Sequence, residues 1–423
     1  MLNRIIQLIL LVLVSVLVCV NAVGNSDNES IEQKVERISS KVAELRNLQF
    51  KHPVSASIQT QDEFVHFARR EIESTYGLEA LHAMSQAYQL LGLLDPGVDL
   101  LSAYLNAMRG LIGGFYSSQG RTLYVMSGFE HGGMTDVILA HELTHALDDQ
   151  HFDLERMRQQ VLTHSDREFA FSSAVEGSAM VVMNSYVISG LLEGFLQIDP
   201  SAAMNMMTGQ LDVLRDVPPF IAISLMLPYS EGASFLTRDA QSVMSGTLDT
   251  QPIDQALREL PHSSEQILHP EKYWDPVLRD EPVEIDLPDF ASSLGSGWSL
   301  VESNTLGELG VFLLVQVGVL NVEQMITAQG QWTNQAATGW GGDRYQLYAG
   351  PDGELLMVWF SRWDSAQDRD ELVQALQEVA KPTMAALRRV DQHEDTGVVV
   401  YLANSEAIGA VDRLSEAFLE SQR

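Results

Sequence analysis

Two histidines stand four residues apart in the run His141-Glu142-Leu143-Thr144-His145. On a helix, residues so spaced lie one turn apart on the same face, where two imidazoles can grip one metal ion. Glu142 follows the first histidine and stays outside such a pair. Its carboxylate can take a proton from an activated water and pass it to a leaving amine, which is the chemistry of attack on a peptide carbonyl. Val137, Ile138, Leu139, Leu143, Ala146 and Leu147 surround the pair with apolar side chains, so the helix is expected to be buried. A catalytic zinc site needs three protein ligands and one open position. Glu176 is the candidate third ligand: it is the one carboxylate in a largely apolar stretch from Phe169 to Leu191, and a buried carboxylate is costly unless paired or metal-bound. Gly177 and Ala179 leave room for a second helix to pack closely beside it.

The string HELTHALDD at 141–149 resembles the active-site helix of the gluzincin metallopeptidases, the thermolysin-like zinc peptidases. AVEGSAM at 174–180 is similar to their third-ligand helix. The longer run HELTHALDDQHFDL also resembles exported bacterial metallopeptidases. This resemblance implies His141, His145 and Glu176 as zinc ligands, Glu142 as general base and a zincin-like fold. The sequence departs from the pattern at Met180, where the family carries an Asp one turn after the ligand Glu. Support for a ligand histidine is then left to Asp148 or Asp149. The family also stabilises the oxyanion with a Tyr or His from a separate segment. His262, His269, Tyr229 and Tyr273 are available, and His269, held by the following Pro270, is the preferred candidate.

The surrounding pattern predicts an α+β protein: a mainly helical catalytic domain with a β-hairpin ahead of the active-site helix, and a smaller C-terminal α+β domain. Residues 31–48 carry apolar side chains three and four apart, as an amphipathic helix requires. A helical block covers 61–94 and ends at Asp95-Pro96-Gly97. Two β-prone runs, 114–116 and 122–126, form the hairpin. Its second strand is expected at a sheet edge, where residues 121–126 could pair with an extended peptide. Helices are expected from Thr135 through Phe152, over 166–189, 202–215 and 220–241. The domain would extend over 23–280, followed by a Pro-, Ser- and Gly-rich linker at 281–297 and the C-terminal domain at 298–423. There, 307–318 reads as a buried helix, 343–363 as a hairpin turned at Pro351-Asp352-Gly353, 365–379 as a helix, 398–402 as a strand and 405–421 as a closing helix. Gly341 and Gly342 in GWGGDRY lack the lysine of a phosphate loop and read as a turn entering a strand.

Arg4, an apolar run from Ile5 to Val20, and small residues at Val20 and Ala22 read as a secretory signal over 1–22, with the mature chain starting near Val23. Left uncut, the same segment would anchor the chain. Cys19, the single cysteine, lies inside it, so the mature chain would form no disulfide. The formal charge of −31 repels phosphate backbones and argues against nucleic acid as a partner. No later segment reads as membrane-spanning, because the apolar stretch 169–198 includes Glu176 and Glu193.

The expected activity is that of a periplasmic or secreted zinc peptidase acting on a protein or peptide. Two other readings use the same residues: a zinc-stabilised binding or scaffold protein without catalysis, and a zinc amidase acting on cell-wall amides. A purely structural zinc site has no need of Glu142.

Overall fold

A computed structural model describes residues 20–22, 29–129, 133–198, 212–237, 248–316 and 332–422. The first nineteen residues of the expected signal, most of the helix expected over 202–215, and the last residues of those expected over 220–241 and 307–318 lie outside the described residues. The chain is an α+β protein.

Val20–Ala22 (β1) pair antiparallel with Leu196–Ile198, so cleavage near Val23 would remove this short strand. Helix α1, Ile31–Arg46, starts in a capping box of Ser30 and Gln33 and ends where Asn47 turns left-handed. It packs on the helix that carries His141 and His145 through Val35, Ile38 and Val42. Strand β2, Ser55–Gln59, precedes α2, Gln61–Tyr76, which opens in a second capping box of Thr60 and Glu63. Gly77, at a φ of 81°, separates α2 from α3, Leu78–Leu91, so the helical block expected over 61–94 is two helices. Helix α4, Leu100–Leu111, capped by Asp99, leads into β3, Gly114–Ser117, and β4, Thr122–Met126.

The hairpin forms where expected, but β4 is not an edge. The sheet order is β2-β4-β3, with β2 parallel to β4 and covering the side expected to be free. The edge that lies against the next helix, α5 (Gly133–Phe152), is therefore β3. Helix α6, Ser165–Glu193, is buried along most of its length and leads to β5, Leu196–Ile198. It packs most extensively on α7, Pro219–Thr237. Both helices are long and apolar enough to cross a membrane by length and composition. Here they form part of the core beside α5. Helices α8, Gln251–Arg258, and α9, Ser264–Leu268, complete this half.

The C-terminal part is an antiparallel sheet of order β6-β7-β8-β10-β9, comprising Ser299–Asn304, Trp340–Ala349, Leu355–Trp363, Gly397–Ala403 and Leu387–His393 respectively. With it go α10, Gly307–Gln316, α11, Ala366–Glu378, and α12, Val411–Ser421. The sheet is covered on both faces, so its central strands are almost wholly apolar. Alternation divides them: Met357, Trp359, Val398 and Val400 face one core, while Leu356, Val358, Phe360, Val399 and Tyr401 face another with α12.

Residues 281–297 do not act as a free linker. Leu287, Phe290 and Leu294 are buried in the α12-side core, and Phe290 N–H donates to the Tyr348 hydroxyl. Apolar residues embedded among the Pro and Ser residues account for this: their burial holds the strap to the sheet. Nor do the two halves have separate interiors. One continuous apolar cluster joins Tyr88 and Leu91 of α3 and Ile221 of α7 to Leu309 and Phe312 of α10 and Trp359 of the sheet.

Candidate metal centre

Helix α5 is held from three sides, and each contact bears on the metal candidates. Lys34 and Arg46 of α1 are fully buried charges that need partners. Lys34 Nζ lies 3.5 Å from Asp136, near the start of α5. Arg46 Nε donates to Asp148 Oδ1 at 2.8 Å, and its Nη1 donates to Asp254 at 2.6 Å. Asp148 also accepts from Ser178 Oγ at 2.5 Å. Asp148 thus joins α5, three residues beyond His145, to α6, two residues beyond Glu176. Asp149 holds the other side, accepting from the Tyr116 hydroxyl of β3 at 3.1 Å and from Leu154 N–H. Asp148 therefore ties α5 to α1 and α6, and Asp149 ties it to β3; the hydrogen bonds of both acids run to these groups and not to His141 or His145, and Met180 is buried in the core.

The approach of α6 to α7 is set by two glycines. A Cβ on Gly177 would meet the backbone of Gly232, and one on Gly232 would run into the Ser173 carbonyl oxygen. This contact lies next to Glu176 on one helix and three residues after Tyr229 on the other. Close backbone approach at that level brings Tyr229 to the two acids and histidines of the motif.

Three donor atoms converge. Glu176 Oε2 is 3.2 Å from His141 Nε2 and 3.3 Å from His145 Nε2, and the two imidazole nitrogens are 3.1 Å apart. With metal–ligand bonds of about 2.0–2.1 Å, two ligands of a tetrahedral zinc lie about 3.3–3.4 Å apart. The triangle therefore fits one face of a zinc tetrahedron, and its two-nitrogen, one-carboxylate donor set suits that ion. His141 is 8% exposed and Glu142 7%, so the group is almost wholly buried.

The local fields are strong. Burial opposes charge on Glu176, but the adjacent His145 and His141 outweigh it and hold the carboxyl well below the usual range. Burial likewise opposes charge on His145, yet Glu176 raises it to about 9. Glu142 is pushed up by burial, against the pull of the two histidines. The Tyr116 backbone N–H of β3 hydrogen-bonds its carboxylate and fixes its direction. The Tyr229 ring stacks on His141 with centroids 5.8 Å apart, and its hydroxyl bonds to Glu176, whose charge, followed by burial, raises the phenol well above its ordinary value.

Tyr229 is thus the oxyanion candidate that comes to the site, not His269. His269 caps the end of α9 and places Nε2 2.9 Å from Glu308 Oε1. Glu308 is fully buried in the first turn of α10 and needs a charged partner there. His262 pairs with Glu281, and the Tyr273 hydroxyl donates to the Glu259 carbonyl. The signal that separates Tyr229 from the others was available only indirectly, in the glycine three residues downstream that matches Gly177.

A second cluster of acids, Glu265, Asp280 and Asp364, has its oxygens close enough to hold an ion. Lys272 already fills it, with Nζ 2.6, 2.9 and 3.3 Å from the three carboxylates.

A model of a family described as a domain of unknown function, DUF8575, matches residues 298–413, which lie in the C-terminal sheet region and leave the metal candidates outside. No curated protein and no solved structure matches the chain.

Proposed function

We propose that this chain is an exported zinc peptidase of the gluzincin type, with a zincin-like arrangement of α5, α6 and the β2-β4-β3 sheet. The observation that carries the reading is the triangle of His141 Nε2, His145 Nε2 and Glu176 Oε2 with edges of 3.1–3.3 Å, beside a Glu142 that is not part of it. A zinc ion held there would polarise a substrate carbonyl and make water nucleophilic near neutral pH.

The protein's own groups then divide the work. Glu142, buried and directed by the Tyr116 N–H, accepts the proton of the attacking water and delivers it to the departing amine. Burial raises its proton affinity, which suits a group that must both take and return a proton. Tyr229 is 37% exposed and can present its hydroxyl to the carbonyl oxygen as negative charge develops. Strand β3 offers an edge to the substrate backbone. Gly113 accepts from Met126 N–H across the hairpin. Along a strand, hydrogen-bonding groups alternate in direction, so Gly114 and the carbonyl of Tyr116 face away from β4, on the side where the Tyr116 N–H meets Glu142.

The test combines metal content with hydrolysis. Purified wild type should bind about one equivalent of zinc and cleave a mixed peptide library. Glu142→Gln should keep the zinc and lose about 10²–10⁴-fold in kcat. A Glu142→Gln protein that still cleaves at the wild-type rate sinks the assignment. Zinc binding without peptide cleavage, paired with release from muropeptides, would favour the amidase reading. Zinc binding without hydrolysis of either substrate would favour the scaffold reading.

A further inference from the structure

A cavity of about 280 Å³ lies between α2, α3, α4, α6, α7 and α10, and none of His141, Glu142, His145, Glu176 or Tyr229 lines it. It is a space separate from the metal candidates, with a chemistry of its own. Most of its wall is apolar. Ser165, Phe169 and Ser172 form a stripe along α6. Leu306, Leu309 and Leu313, at and along α10, line it from the C-terminal region that the family of unknown function matches.

Two charged side chains in this wall have hydrogen-bonding capacity to spare. Asp166 is 2% exposed, and its Oδ1 accepts from the Ser264 N–H at 3.0 Å, while its Oδ2 has no hydrogen-bond partner among the described residues. A buried carboxylate oxygen in that state is costly. Arg158 is half-buried on the short helix Leu154–Gln159, and its guanidinium forms no hydrogen bond or ion pair among the described residues. Its charge acts on Glu168, Tyr76 and Tyr104, but Glu168 is taken by the Tyr76 hydroxyl at 2.5 Å. Successive helical residues are turned by about 100°, so on α6 Asp166 stands to one side of the Ser165–Phe169–Ser172 stripe and Glu168 to the other. The charges that act on Asp166 are those of Asp343 and Glu308, in the C-terminal region. The cation and the orphan carboxylate oxygen thus flank the cavity from opposite sides, with apolar side chains between them.

We propose that this cavity binds a small zwitterion with its charges at opposite ends, an ω-amino acid with an apolar body, whose ammonium meets Asp166 Oδ2 and whose carboxylate meets Arg158. The body lies against Phe169 and the leucines of α10. Hydrogen bonds between charged groups are the strong ones, and the chain's charge of −31 favours the approach of the ammonium end. An α-amino acid carries both charges on one carbon and does not reach both flanks. For scale, an apolar cavity of about 150 Å³ accommodates benzene, so a saturated six-membered ring with a one-carbon arm fits here. Because α10 is one wall, the ligand fastens the C-terminal region to α6 and gives that region a binding role. This site is independent of the peptidase reading, and its test uses no hydrolysis.

The full chain is titrated calorimetrically with trans-4-(aminomethyl)cyclohexanecarboxylate and with two probes that each lack one pole, cyclohexylmethylamine and cyclohexanecarboxylate. Expected is one saturable site for the bipolar probe, tighter than either one-pole probe by about tenfold or more. Asp166→Asn should weaken the bipolar probe and the amine by a similar factor and leave cyclohexanecarboxylate unchanged. Arg158→Gln should weaken the bipolar probe and cyclohexanecarboxylate and leave the amine unchanged. Leu313→Phe, which fills the apolar middle from the α10 side, should block all three. Because probes are compared on the same variant, a loosened fold does not imitate these results, and the half-buried Arg158 provides the comparison if Asp166→Asn folds poorly. The proposal is overturned if the bipolar probe does not bind, if all three probes bind wild type equally, or if a variant at either pole weakens all three alike.

Discussion

Among the described residues, two clusters bring three metal-ligating side chains within reach of one another, and they differ in how their charge is balanced. Around Lys272, three carboxylates share a built-in ammonium. Around Glu176, two imidazoles and one carboxylate converge on one another, and their donor atoms face no Lys or Arg among the described ion pairs. The first is a salt-bridge network whose cation is covalently part of the fold. The second has the donor types, spacing and adjacent free acid that a catalytic cation requires. Proximity of acids alone does not distinguish the two; the presence of a lysine does.

The largest effect expected from this contrast is on zinc content. His141→Ala or Glu176→Ala should reduce bound zinc from about one equivalent to background by mass spectrometry, while Glu265→Gln and Asp364→Asn leave it unchanged. Zinc retained in Glu176→Ala, or lost in Glu265→Gln, would erase the distinction between the clusters.

Lys272→Met should strip the second cluster of its cation and leave the nearly fully buried Glu265 unpaired. Breaking a buried pair costs about 3–5 kcal/mol. Because Lys272 retains 22% of its side-chain exposure, about 2–3 kcal/mol is expected by urea unfolding, with zinc binding intact. Adding Glu265→Gln to that variant should recover part of the loss, and no recovery would mean that packing of the lysine stem, not charge, was at stake.

Gly232→Ala tests the helix contact that positions the first cluster. The added methyl meets the Ser173 carbonyl, and overpacking of this kind costs about 1–3 kcal/mol. Zinc affinity should fall with it, since Glu176 and Tyr229 sit on the helices being forced apart. Unchanged zinc affinity would show that the α6–α7 approach does not set the ligand geometry.

The smallest effect concerns a buried acid outside both clusters. Burial raises Asp166 to about 7, against its Ser264 hydrogen bonds. Between about pH 4 and 7 the folded chain then holds a proton that the unfolded chain has released, so this residue's contribution to stability falls as pH rises through that window. His164, lowered to about 4 mainly by burial, works in the opposite direction between about pH 4 and 6.5. Comparing urea midpoints of wild type and Asp166→Asn at pH 5 and 7.5 isolates the acid. The variant should gain about 1–2 kcal/mol relative to wild type at the higher pH, and an equal difference at both pH values would contradict the assignment.

The local signals of the candidate site were legible because they obey one-helix rules. The four-residue spacing of His141 and His145 puts both rings on one face of α5, and the apolar setting of Glu176 marks a carboxylate in need of a partner. Their convergence to a triangle of 3.1–3.3 Å edges belongs to tertiary structure. The same division runs through the fold. Capping boxes at Ser30 and Thr60 and the turn at 351–353 sit where local chemistry demands. Strand β2, which moves β4 from the edge to the middle of its sheet, is defined only by pairing with residues far along the chain. His269 shows the limit most clearly. Its loop and following proline suited a site residue, but the buried Glu308 of α10 takes it as a partner instead. Residue type and short spacing by themselves determined the histidine pair and the acid between them, because these are properties of a single helical turn. Which tyrosine reaches that turn, which strand lies beside it, and which acid takes His269 were decided only by close packing between elements, through the backbone contact of Gly177 with Gly232 and the apolar core shared by both halves.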